Sequence, residues 1–543
     1  MRPTIALALL LAASTPAFAQ DAKPADKPGQ TNAERQRAAV EADYAAAPVE
    51  EREVRSKGSV TVAGRRLPYT ATAGTLTVRD VEGKPTASMF YTAYTLDGGK
   101  AGANRPVTFF FNGGPGSPTM WLHMGSFGPV RIQTGNPEFV RPAPYPVGPN
   151  PHTLLDKSDL VFLDAIGAGY SRALGDTRPA EFYGVDADVD AFAKAITRYV
   201  TKNARWNSPK FLFGESYGTL RNGALAYQLQ NRGMALNGVV LFSSIMNYGY
   251  RQPGLDQLYV NYLPSYAATA WYHKRMPNPP TTVDEAAAQA RAFAVGPYAA
   301  ALGKGQLISA AERDAVARRM SELTGLSTDF LIRANLRVDL ARFQKELLRG
   351  TRQVVGRLDS RYLGHDADAA GERPDTDVSS EAIAGAFIAA QNDHLSRTLG
   401  YRTELLYRPS ARDVPGFEWN WKHRPLGQSQ GQQNNPNTAI DLAAAMRGNP
   451  YLKVLSMNGW YDMATPFFGA EFDLNHMMLE PAQARNLRFT YYPAGHMMYL
   501  NPDALAAMKR DLSAWYDEAV DAARSGTPPQ QGTVAEAGAT PPN

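Results

Sequence analysis

The stretch Phe211-Leu212-Phe213-Gly214-Glu215-Ser216-Tyr217-Gly218 joins a short apolar run to a serine that glycines flank, and a segment of helix-forming composition follows it. This order is typical of a nucleophile elbow. A tight strand-to-helix turn lifts the serine hydroxyl above a sheet and points the helix N-terminus at developing negative charge. Glycines beside the turn let backbones approach closely because they have no Cβ. The stretch therefore predicts that Ser216 is a nucleophile.

The same G-x-S-x-G pattern occurs a second time, at Gly427-Gln428-Ser429-Gln430-Gly431. This copy lies in a stretch rich in Gln, Asn and Pro, and no apolar strand precedes it. We interpret it as a loop. The surrounding sequence, rather than the pattern itself, selects Ser216.

Further short apolar runs lie on both sides of the elbow. Continuously apolar runs of this length are typical of buried strands in a parallel sheet, and helix-forming segments alternate with several of them. We predict an α/β fold with a mostly parallel, doubly wound central sheet, preceded by short antiparallel strands between Ser59 and Tyr94. The predicted parallel strands are 107–111, 160–163, 211–213, 239–242, 454–457 and 487–492, and two of the predicted helices are 187–201 and 220–230.

The predicted catalytic core is split in two. Residues 51–250 and 437–520 carry the strand and helix pattern, and residues 251–436 between them are largely helical. This insertion lies between the elbow and the last two strands, so we expect it to cover the site as a cap or lid; a remote domain is the alternative. Residues 20–50 and 521–543 lack a core pattern and are predicted to be flexible.

The first 19 residues have the features of a secretory signal peptide. A positive charge at Arg2, an apolar run over 5–13 and the small-residue triplet Ala17-Phe18-Ala19 predict cleavage after Ala19. The apolar run is shorter than the roughly 20 residues that a membrane helix needs. We expect an exported protein, periplasmic or secreted, with no membrane anchor.

Composition excludes several classes of function. The net charge of +4 is spread without a basic block, so nucleic-acid binding has no support. The chain has no cysteine, which rules out disulfides, a thiolate nucleophile and thiolate metal sites. An acidic segment at 366–371 resembles part of a calcium loop but lacks a ligand at its fifth position, and we interpret it as a solvated loop. We therefore expect no metal and no cofactor, and the oligomeric state is left open.

A serine nucleophile needs a base, and the base needs a carboxylate, in the chain order Ser, Asp or Glu, His on this type of fold. His496 is the predicted base because it follows the strand 487–492 and precedes a terminal helix. His476 lies in a helical, Met-flanked segment and is expected to be structural. Asp462 follows an apolar strand at its carboxyl end, where sites on open sheets gather. Asp473 is the second candidate for the acid.

The oxyanion of the reaction needs two backbone N–H donors. Tyr217, directly after the nucleophile, would supply one of them. The other is expected from the loop Asn112-Gly113-Gly114-Pro115-Gly116, which follows a predicted strand and in which a substrate carbonyl can approach the main chain.

Glu215 is the residue that separates classes of substrate. If it faces a substrate carboxylate, the two groups must share a proton, because adjacent like charges raise one pKa. The Asn112 amide could donate to the same carboxylate. Together the two residues favour substrates with a free C-terminus at acidic pH; a local structural hydrogen bond of Glu215 is the alternative.

Several separate motifs resemble those of the serine carboxypeptidase family within the α/β-hydrolase fold, as an exported bacterial-type member. The resemblance covers about 105–250 and 450–515 and leaves the insertion uncovered. The motifs are Asn112-Gly113-Gly114-Pro115-Gly116, Leu163 to Ser171 with Ile166 in place of Pro, Gly214 to Gly218, Asp462 four residues before Pro466, and Gly495-His496-Met497.

The resemblance implies removal of single residues from the C-termini of peptides or proteins. It also implies a role for each matching position: a triad of Ser216, Asp462 and His496, an oxyanion hole of the Gly114 and Tyr217 amides, and a carboxylate site of Asn112, Gly113 and Glu215.

Three further positions depart from the family pattern. Trp460 stands where many members carry an extra Asp, and Ser117 stands where a Cys is common. Ser126 stands where many members carry a Glu that supports the carboxylate network, so recognition of the peptide end is less secure than hydrolysis.

Two other functions are compatible with the sequence. An acyltransferase or esterase would use the same triad, because the shape of the pocket chooses between water and an alcohol as acceptor. A non-catalytic exported binding protein is a third possibility, against which the complete set of triad residues argues. Side-chain specificity and the physiological substrate depend on the insertion and are left open.

Overall fold

The computed structural model describes residues 43–98, 104–425 and 431–525. In this part of the chain, ten strands join in one sheet and two small strand pairs lie apart from it. The strands are β1 (Glu53–Val62), β2 (Arg65–Arg79), β3 (Pro85–Leu96), β4 (Val107–Phe111), β5 (Val130–Ile132), β6 (Val147–Pro149), β7 (Asp159–Leu163), β8 (Arg172–Ala173), β9 (Lys210–Ser216), β10 (Gly238–Ser244), β11 (Val354–Val355), β12 (Leu363–Gly364), β13 (Lys453–Gly459) and β14 (Leu487–Tyr492).

The large sheet has the order β1-β2-β3-β7-β4-β9-β10-β13-β14, with β8 paired to β3. All pairs from β7 to β14 are parallel, whereas β1, β2, β3 and β7 pair antiparallel. The predicted α/β fold with a mostly parallel central sheet is confirmed. Because β7, β4, β9, β10, β13 and β14 run in one direction, their carboxyl ends meet at one edge, where sites on such sheets gather.

Side chains of the central strands alternate between two hydrophobic layers. In β9, Phe211 and Phe213 pack in the layer that holds the last helix, and the rings of Phe211 and Tyr516 lie 4.4 Å apart. Leu212 packs in the opposite layer, with the helices that follow β8 and β9. Both faces of the sheet are buried, which explains why the sequences of these strands are continuous runs of apolar residues.

The helices lie on both faces of the sheet and fill the insertion. The α-helices are Met120–Gly125, Val185–Lys202, Tyr217–Asn231, Gln257–Tyr272, Val283–Phe293, Ala299–Gly303, Ala310–Thr324, Thr328–Arg333, Leu340–Glu346, Val378–Glu381, Ala384–Asp393, Ala439–Gly448, Phe467–Asn475, Pro481–Ala484 and Pro502–Ser525. Shorter helical turns of 3₁₀ or π type are Pro179–Phe182, Gly249–Arg251, Ala294–Tyr298, Gly305–Leu307, Arg349–Thr351, His394–Thr398, Ala411–Asp413 and Met498–Leu500.

The helices of the insertion have a hydrophobic cluster of their own. The ring of Tyr266 stacks on that of Phe343 at 3.9 Å between centroids, deep in this cluster. The same cluster contains Trp460, Met463 and Phe467, which belong to the loop and helix after β13. The insertion therefore packs directly against the segment that carries Asp462.

The described residues include part of each predicted tail. Asp43, inside the predicted flexible segment 20–50, forms ion pairs of 2.8 Å with Arg172 and Arg408. At the other end, the last helix continues to Ser525, past the predicted start of the tail at 521. Local composition does not reveal these contacts, because their partners lie far away in the sequence.

Two predictions fall on residues outside the described part of the chain. The signal peptide 1–19 lies there entirely, as do the first four residues of the second G-x-S-x-G copy. Among the described helices, none combines the length and apolar character that crossing a bilayer requires.

Candidate active site

The predicted nucleophile lies at a sharp strand-to-helix turn. β9 ends at Ser216, and the helix Tyr217–Asn231 begins at the next residue. Ser216 has φ 61° and ψ −129°, a conformation that side-chain-bearing residues rarely adopt. Such strain persists only where surrounding structure imposes it, and it is common at functional sites. The turn puts Ser216 at the N-terminus of a fifteen-residue helix, where the helix dipole favours negative charge.

Asp462 and His496 form a buried pair. His496 Nδ1 lies 2.8 Å from Asp462 Oδ2, and Asp462 Oδ1 accepts the backbone amides of Ala464 at 2.8 Å and Thr465 at 2.9 Å. A carboxylate on Nδ1 fixes the ring tautomer and leaves Nε2 to exchange a proton. Burial lowers the pKa of His496, but the Asp462 carboxylate outweighs it, and the net direction is upward.

The insertion and β10 hold the loop of His496 in place. The backbone N–H of His496 donates to Leu358 O, and its carbonyl accepts from Ser243 Oγ, both at 2.6 Å. Gly495 N donates to Asp359 Oδ2 at 3.2 Å. Sequence reasoning missed these supports, because Leu358 and Asp359 lie in the insertion and no motif marks them.

The sheet brings Ser216 close to the Asp462 and His496 pair. Ser216, at the end of β9, pairs in register with Ser244 of β10, and the neighbouring Ser243 carries the hydrogen bond to His496. In the described structure no hydrogen bond joins Ser216 Oγ to His496. Catalytic hydrogen bonds are often long before substrate binds.

The glycine loop after β4 lies against the elbow. A Cβ added to Gly113 would lie 2.4 Å from Tyr217 N and 2.8 Å from Gly218 N, so only glycine permits this approach. Arg412 Nη2 donates to Gly114 O at 3.0 Å and holds the loop from the side of the insertion. The two predicted oxyanion donors, the amides of Gly114 and Tyr217, therefore belong to adjoining pieces of backbone.

Glu215 is buried beside the predicted nucleophile, and only 3% of its surface is exposed. Tyr499 OH lies 3.1 Å from one carboxyl oxygen and 3.3 Å from the other. Burial raises the pKa of Glu215 to about 7, against opposing effects of the His496 charge and of hydrogen bonds from Tyr499 and Asn112. Asn112 Oδ1 accepts Leu122 N at 3.1 Å, which leaves the NH₂ group of Asn112 as the donor. The carboxyl group is therefore neutral below about pH 7.

Tyr499 is a site residue that sequence reasoning missed. Its ring lies directly against the helix Met120–Gly125, because a Cβ on Gly125 would be 2.6 Å from the ring. The next residue, Ser126, is buried and donates its hydroxyl to Leu122 O at 2.6 Å. Where the family resemblance expects a Glu near Glu215, this chain has a Tyr hydroxyl from another segment. Its position three residues after His496 was the one available signal.

The Tyr217 side of the nucleophile is aromatic. The ring of Tyr217 is buried and lies 5.4 Å from Trp419 and 6.1 Å from Trp421, measured between ring centroids. Trp421 in turn lies 4.5 Å from Tyr248, which follows β10. Both tryptophans and Tyr248 are half-buried. The two tryptophans come from the insertion, and sequence reasoning missed them because no motif covers that segment.

A buried ion pair supports both neighbours of the nucleophile. Arg221 Nε and Asp188 Oδ2 lie 2.7 Å apart, and the Arg221 side chain is entirely inaccessible to solvent. Arg221 Nη1 donates to Asn112 O at 2.9 Å, and its guanidinium lies 5.5 Å from the ring centroid of Tyr217. Asp188 thus helps to position Arg221.

The less favoured candidates lie elsewhere. His476 is exposed, and its Nδ1 contacts Phe472 O at 2.7 Å. Asp473 is buried, which raises its pKa to about 8, and Met246 N donates to it at 3.4 Å. Trp460 stacks on Tyr491 at 4.6 Å, and Asp366 of the partial calcium pattern pairs with Lys345. In the ranges 43–98, 104–425 and 431–525 no group of three potential metal ligands occurs.

Comparison with known proteins finds one family and several distant structures. The family model described as Serine carboxypeptidase matches residues 64–261. No curated protein matches the chain. The carboxypeptidase Kex1(delta)p from Saccharomyces cerevisiae, described as prohormone-processing, is 12% identical, with 83% of this chain and 92% of that chain covered and a TM-score of 0.47.

Other solved structures are more distant in shape. Proline iminopeptidase from Mycobacterium smegmatis is 13% identical, with 86% of this chain and 100% of that chain covered and a TM-score of 0.34. A monoglyceride lipase variant from Saccharomyces cerevisiae is 12% identical, with 82% and 96% covered and a TM-score of 0.34.

The family match includes the glycine loop and the elbow, where the motif resemblance is densest. It therefore confirms the predicted family from an independent comparison. Over residues 64–261, the chain matches the model of the serine carboxypeptidase family.

Proposed function

We propose that this protein hydrolyses the last peptide bond of peptides, with Ser216 as nucleophile, His496 as general base and acid, and Asp462 as the residue that orients His496. The observation that carries the proposal is the buried Glu215 carboxyl group beside Ser216. It is neutral below about pH 7 and hydrogen-bonded to Tyr499. An esterase has no need of such a group next to its nucleophile, whereas a site for a free carboxylate does.

In the first half of the reaction, Ser216 Oγ attacks the carbonyl carbon and His496 Nε2 accepts the hydroxyl proton. The carbonyl oxygen becomes an oxyanion, and the Gly114 and Tyr217 amides are the proposed donors to it. The C–N bond then breaks, and His496 gives its proton to the leaving amine. Asp462 stays ionised throughout and stabilises the imidazolium.

In the second half, a water molecule replaces the departed amino acid. His496 removes a proton from the water as the oxygen attacks the acyl-enzyme carbonyl. The ester bond to Ser216 Oγ breaks, and the proton returns to that oxygen. The enzyme is regenerated, and the shortened peptide leaves with a new C-terminal carboxylate.

Glu215 and Asn112 are the proposed recognition groups for the substrate carboxylate, with the Gly113 backbone beside them. A neutral carboxyl group donates its proton to a carboxylate, whereas an ionised one repels it. Because burial raises the pKa of Glu215 to about 7, free-acid substrates should bind well below this pH and poorly above it. The proposed preference for acidic pH follows from that one group.

The insertion 251–436 is, in this proposal, the cap of the site. Its Trp419 and Trp421 pack near Tyr217, and its Arg412 contacts the glycine loop. We also propose export, on the basis of the sequence of residues 1–19. N-terminal sequencing of the mature protein, with Gln20 as the expected first residue, tests this part.

Three blocked dipeptide substrates with the same side chains test the proposed activity: the free acid, its C-terminal amide and its ester. At pH 6 we expect kcat/KM for the free acid to exceed that for the amide by at least about a hundredfold, the scale of a lost charged hydrogen-bond pair. Equal rates on all three would contradict the proposal and favour a general esterase. Addition of an alcohol as competing acceptor measures how much acyl transfer accompanies hydrolysis.

A further inference from the structure

At the edge of the candidate site, the positive charges of three arginines lower the pKa of one tyrosine, Tyr248. Tyr248 is half-buried, and the guanidinium carbon of Arg251 lies 5.3 Å from its ring centroid. Burial raises the pKa of Tyr248, whereas the charges of Arg251, Arg357 and Arg412 lower it. These positive charges come from three separate segments. The fold, rather than local sequence, therefore brings all three charges within electrostatic range of Tyr248.

Of the three arginines, Arg357 is the one whose side chain is best placed to bind a ligand from solvent. Its side chain is exposed, and within the described part of the chain it has no hydrogen bond or ion pair. Its backbone is fixed, because its N–H donates to Asp377 Oδ1 at 2.8 Å and its carbonyl accepts from Met463 N at 3.2 Å. Its charge also lowers the pKa of His496. Arg357 is thus anchored close to the proposed base with its guanidinium facing solvent.

Most N–H donors of the Arg251 guanidinium group have no hydrogen-bond acceptor among the described residues. Of the five N–H groups of its guanidinium, one on Nη2 reaches the carbonyl of Ala464 at 3.3 Å, and this is its sole hydrogen bond to a described residue. Arg412 approaches from the opposite direction and contacts the carbonyls of Gly114 and Pro115 at 3.0 and 3.3 Å. The cluster therefore extends from the loop after β13, which carries Asp462 and Ala464, to the glycine loop.

Two acidic residues, Asp473 and Asp377, lie near the cluster. Asp473 acts on Arg251, but burial raises the pKa of Asp473 to about 8, so it is largely neutral at neutral pH. Asp377 accepts the backbone amides of Arg357 and Leu358. A cleft lined by charges of one sign attracts and retains substrates of the opposite sign.

The cluster lies on the Tyr217 side of the nucleophile. Tyr248 contacts the aromatic group around Tyr217, whereas Glu215 contacts Tyr499 in a different cluster. If the free C-terminus of a peptide binds at Glu215, the residue on the other side of the scissile bond is directed towards Tyr217 and Tyr248.

We propose that Arg251, Arg357 and Arg412, with Tyr248, form an anion subsite that selects peptides with Asp or Glu as the residue before the scissile bond. This inference rests on the proposed function for the direction of the peptide. The acidic side chain would replace water around Arg357 and Arg251 and would receive charge-assisted hydrogen bonds from both.

The experiment compares N-acetyl-Glu-Phe with N-acetyl-Gln-Phe, which differ in one charge. Equilibrium binding to the full-length Ser216→Ala variant is measured at pH 7, and kcat/KM is measured with the unmodified enzyme. We expect about tenfold or greater preference for the Glu peptide in both measurements, the scale of one charge pair in a partly buried site. Arg357→Gln should remove most of this preference, whereas the matched variant Arg333→Gln, on an exposed helix of the insertion, should keep it.

Each outcome separates the two hypotheses. Equal binding of the two peptides, or a preference that survives Arg357→Gln, overturns the anion subsite. If Arg357→Gln weakens both peptides equally, the arginine binds the terminal carboxylate, and the subsite is again overturned. Hydrolysis of the Gln peptide as a free acid but not as an amide supports the carboxypeptidase activity in any of these cases. Preferential binding of the Glu peptide without hydrolysis of either would retain the subsite and refute the activity.

Discussion

Glu215 and Tyr217 are separated by one residue, Ser216, yet their side chains lie in opposite environments. Glu215 is enclosed by groups of the catalytic core, with Tyr499 and Asn112 as its hydrogen-bond partners. Tyr217 faces Trp419 and other residues of the insertion. The first environment is closed and neutral, and the second is half-open, aromatic and positively charged.

This difference arises from which part of the chain builds each side. The sheet and the loops at its carboxyl edge supply the Glu215 side, where the reaction and the peptide end would be handled. The insertion supplies Trp419 and Arg357 to the other side, where the rest of the peptide would lie. Binding and catalytic residues often lie on such added segments, because a rigid scaffold positions them. The core would thus determine the reaction, and the insertion the choice of substrate.

The largest effect on kcat is expected from removal of His496, the proposed base that accepts the proton of Ser216. Ser216 lies between the Glu215 side and the Tyr217 side of the site. His496→Ala should lower kcat by about 10⁴- to 10⁶-fold, because the proton of Ser216 then has no acceptor. The matched control is His476→Ala, which changes an exposed histidine that contacts Phe472 one helical turn earlier and should alter kcat less than about twofold. Steady-state kinetics on a free-acid dipeptide measures both. A similar loss in both variants would mean that the site lies elsewhere.

Breaking the buried ion pair of Arg221 and Asp188, which supports both sides of the site, should have the next largest effect, on the free energy of unfolding. Arg221→Met leaves Asp188 buried without its partner, which typically costs about 3 to 5 kcal/mol of unfolding free energy. Both sides should loosen together, since Arg221 contacts the carbonyl of Asn112 and the ring of Tyr217. Denaturant unfolding measures the loss.

The control for that substitution is Asp190→Asn on the same helix as Asp188. Asp190 pairs with Lys194 and Arg232 at the surface, where such pairs contribute about 0 to 1 kcal/mol. Equal costs for the two substitutions would show that the buried pair has no special weight.

The fold was predictable because its signals are local and repeated. β4 and β14 were predicted at their observed bounds, and β9 was predicted four residues too short, since its ends at Lys210 and Ser216 are not apolar. Burial on both faces requires apolar residues only where the sheet is covered. The parallel direction of the central strands then follows from their alternation with helices.

The site was only partly predictable. Ser216, His496 and Asp462 could be chosen because their order along the chain and their positions after strands are specific to one fold. Tyr499 and Arg357 could not, since each influences a residue that only the fold brings near and neither belongs to a known motif. Composition also concealed the ion pairs of Asp43 with Arg172 and Arg408. Contacts between distant segments leave no periodic trace in the sequence.

Glu215→Gln tests the Glu215 side of the site through the pH dependence of KM. In the unmodified enzyme, KM for a free-acid dipeptide should rise about tenfold per pH unit above 7, because ionised Glu215 repels the substrate carboxylate. The side-chain amide of the variant carries no titratable proton, so the rise should vanish. The C-terminal amide of the same dipeptide is the control and should show no such rise in either enzyme. A KM profile that Glu215→Gln leaves unchanged would remove the proposed role of Glu215.

The contribution of Glu215 to the free energy of unfolding should also depend on pH. The pKa of Glu215 is raised by folding, so the unfolded chain loses this proton at lower pH than the folded protein does. The contribution of Glu215 to stability is therefore largest below pH 4.5 and decreases until about pH 7. Relative to the unmodified protein, Glu215→Gln should become progressively more stable over this interval.

Tyr499→Phe should have the smallest effect. It tests how far the Tyr499 hydroxyl lowers the pKa of Glu215. The hydroxyl of Tyr499 donates to the Glu215 carboxyl group and lowers its pKa, so its removal should move the rise in KM to higher pH by about one unit, the scale of a single hydrogen bond to a charged group. Tyr492→Phe is the matched control, since Tyr492 OH donates at 2.6 Å to the carboxylate of Asp511 away from the site. The KM profile of that variant should be unchanged. A shift to lower pH in Tyr499→Phe would mean that the hydroxyl stabilises the neutral carboxyl group instead, and Tyr499 would then be a partner in carboxylate binding rather than a regulator of the Glu215 charge.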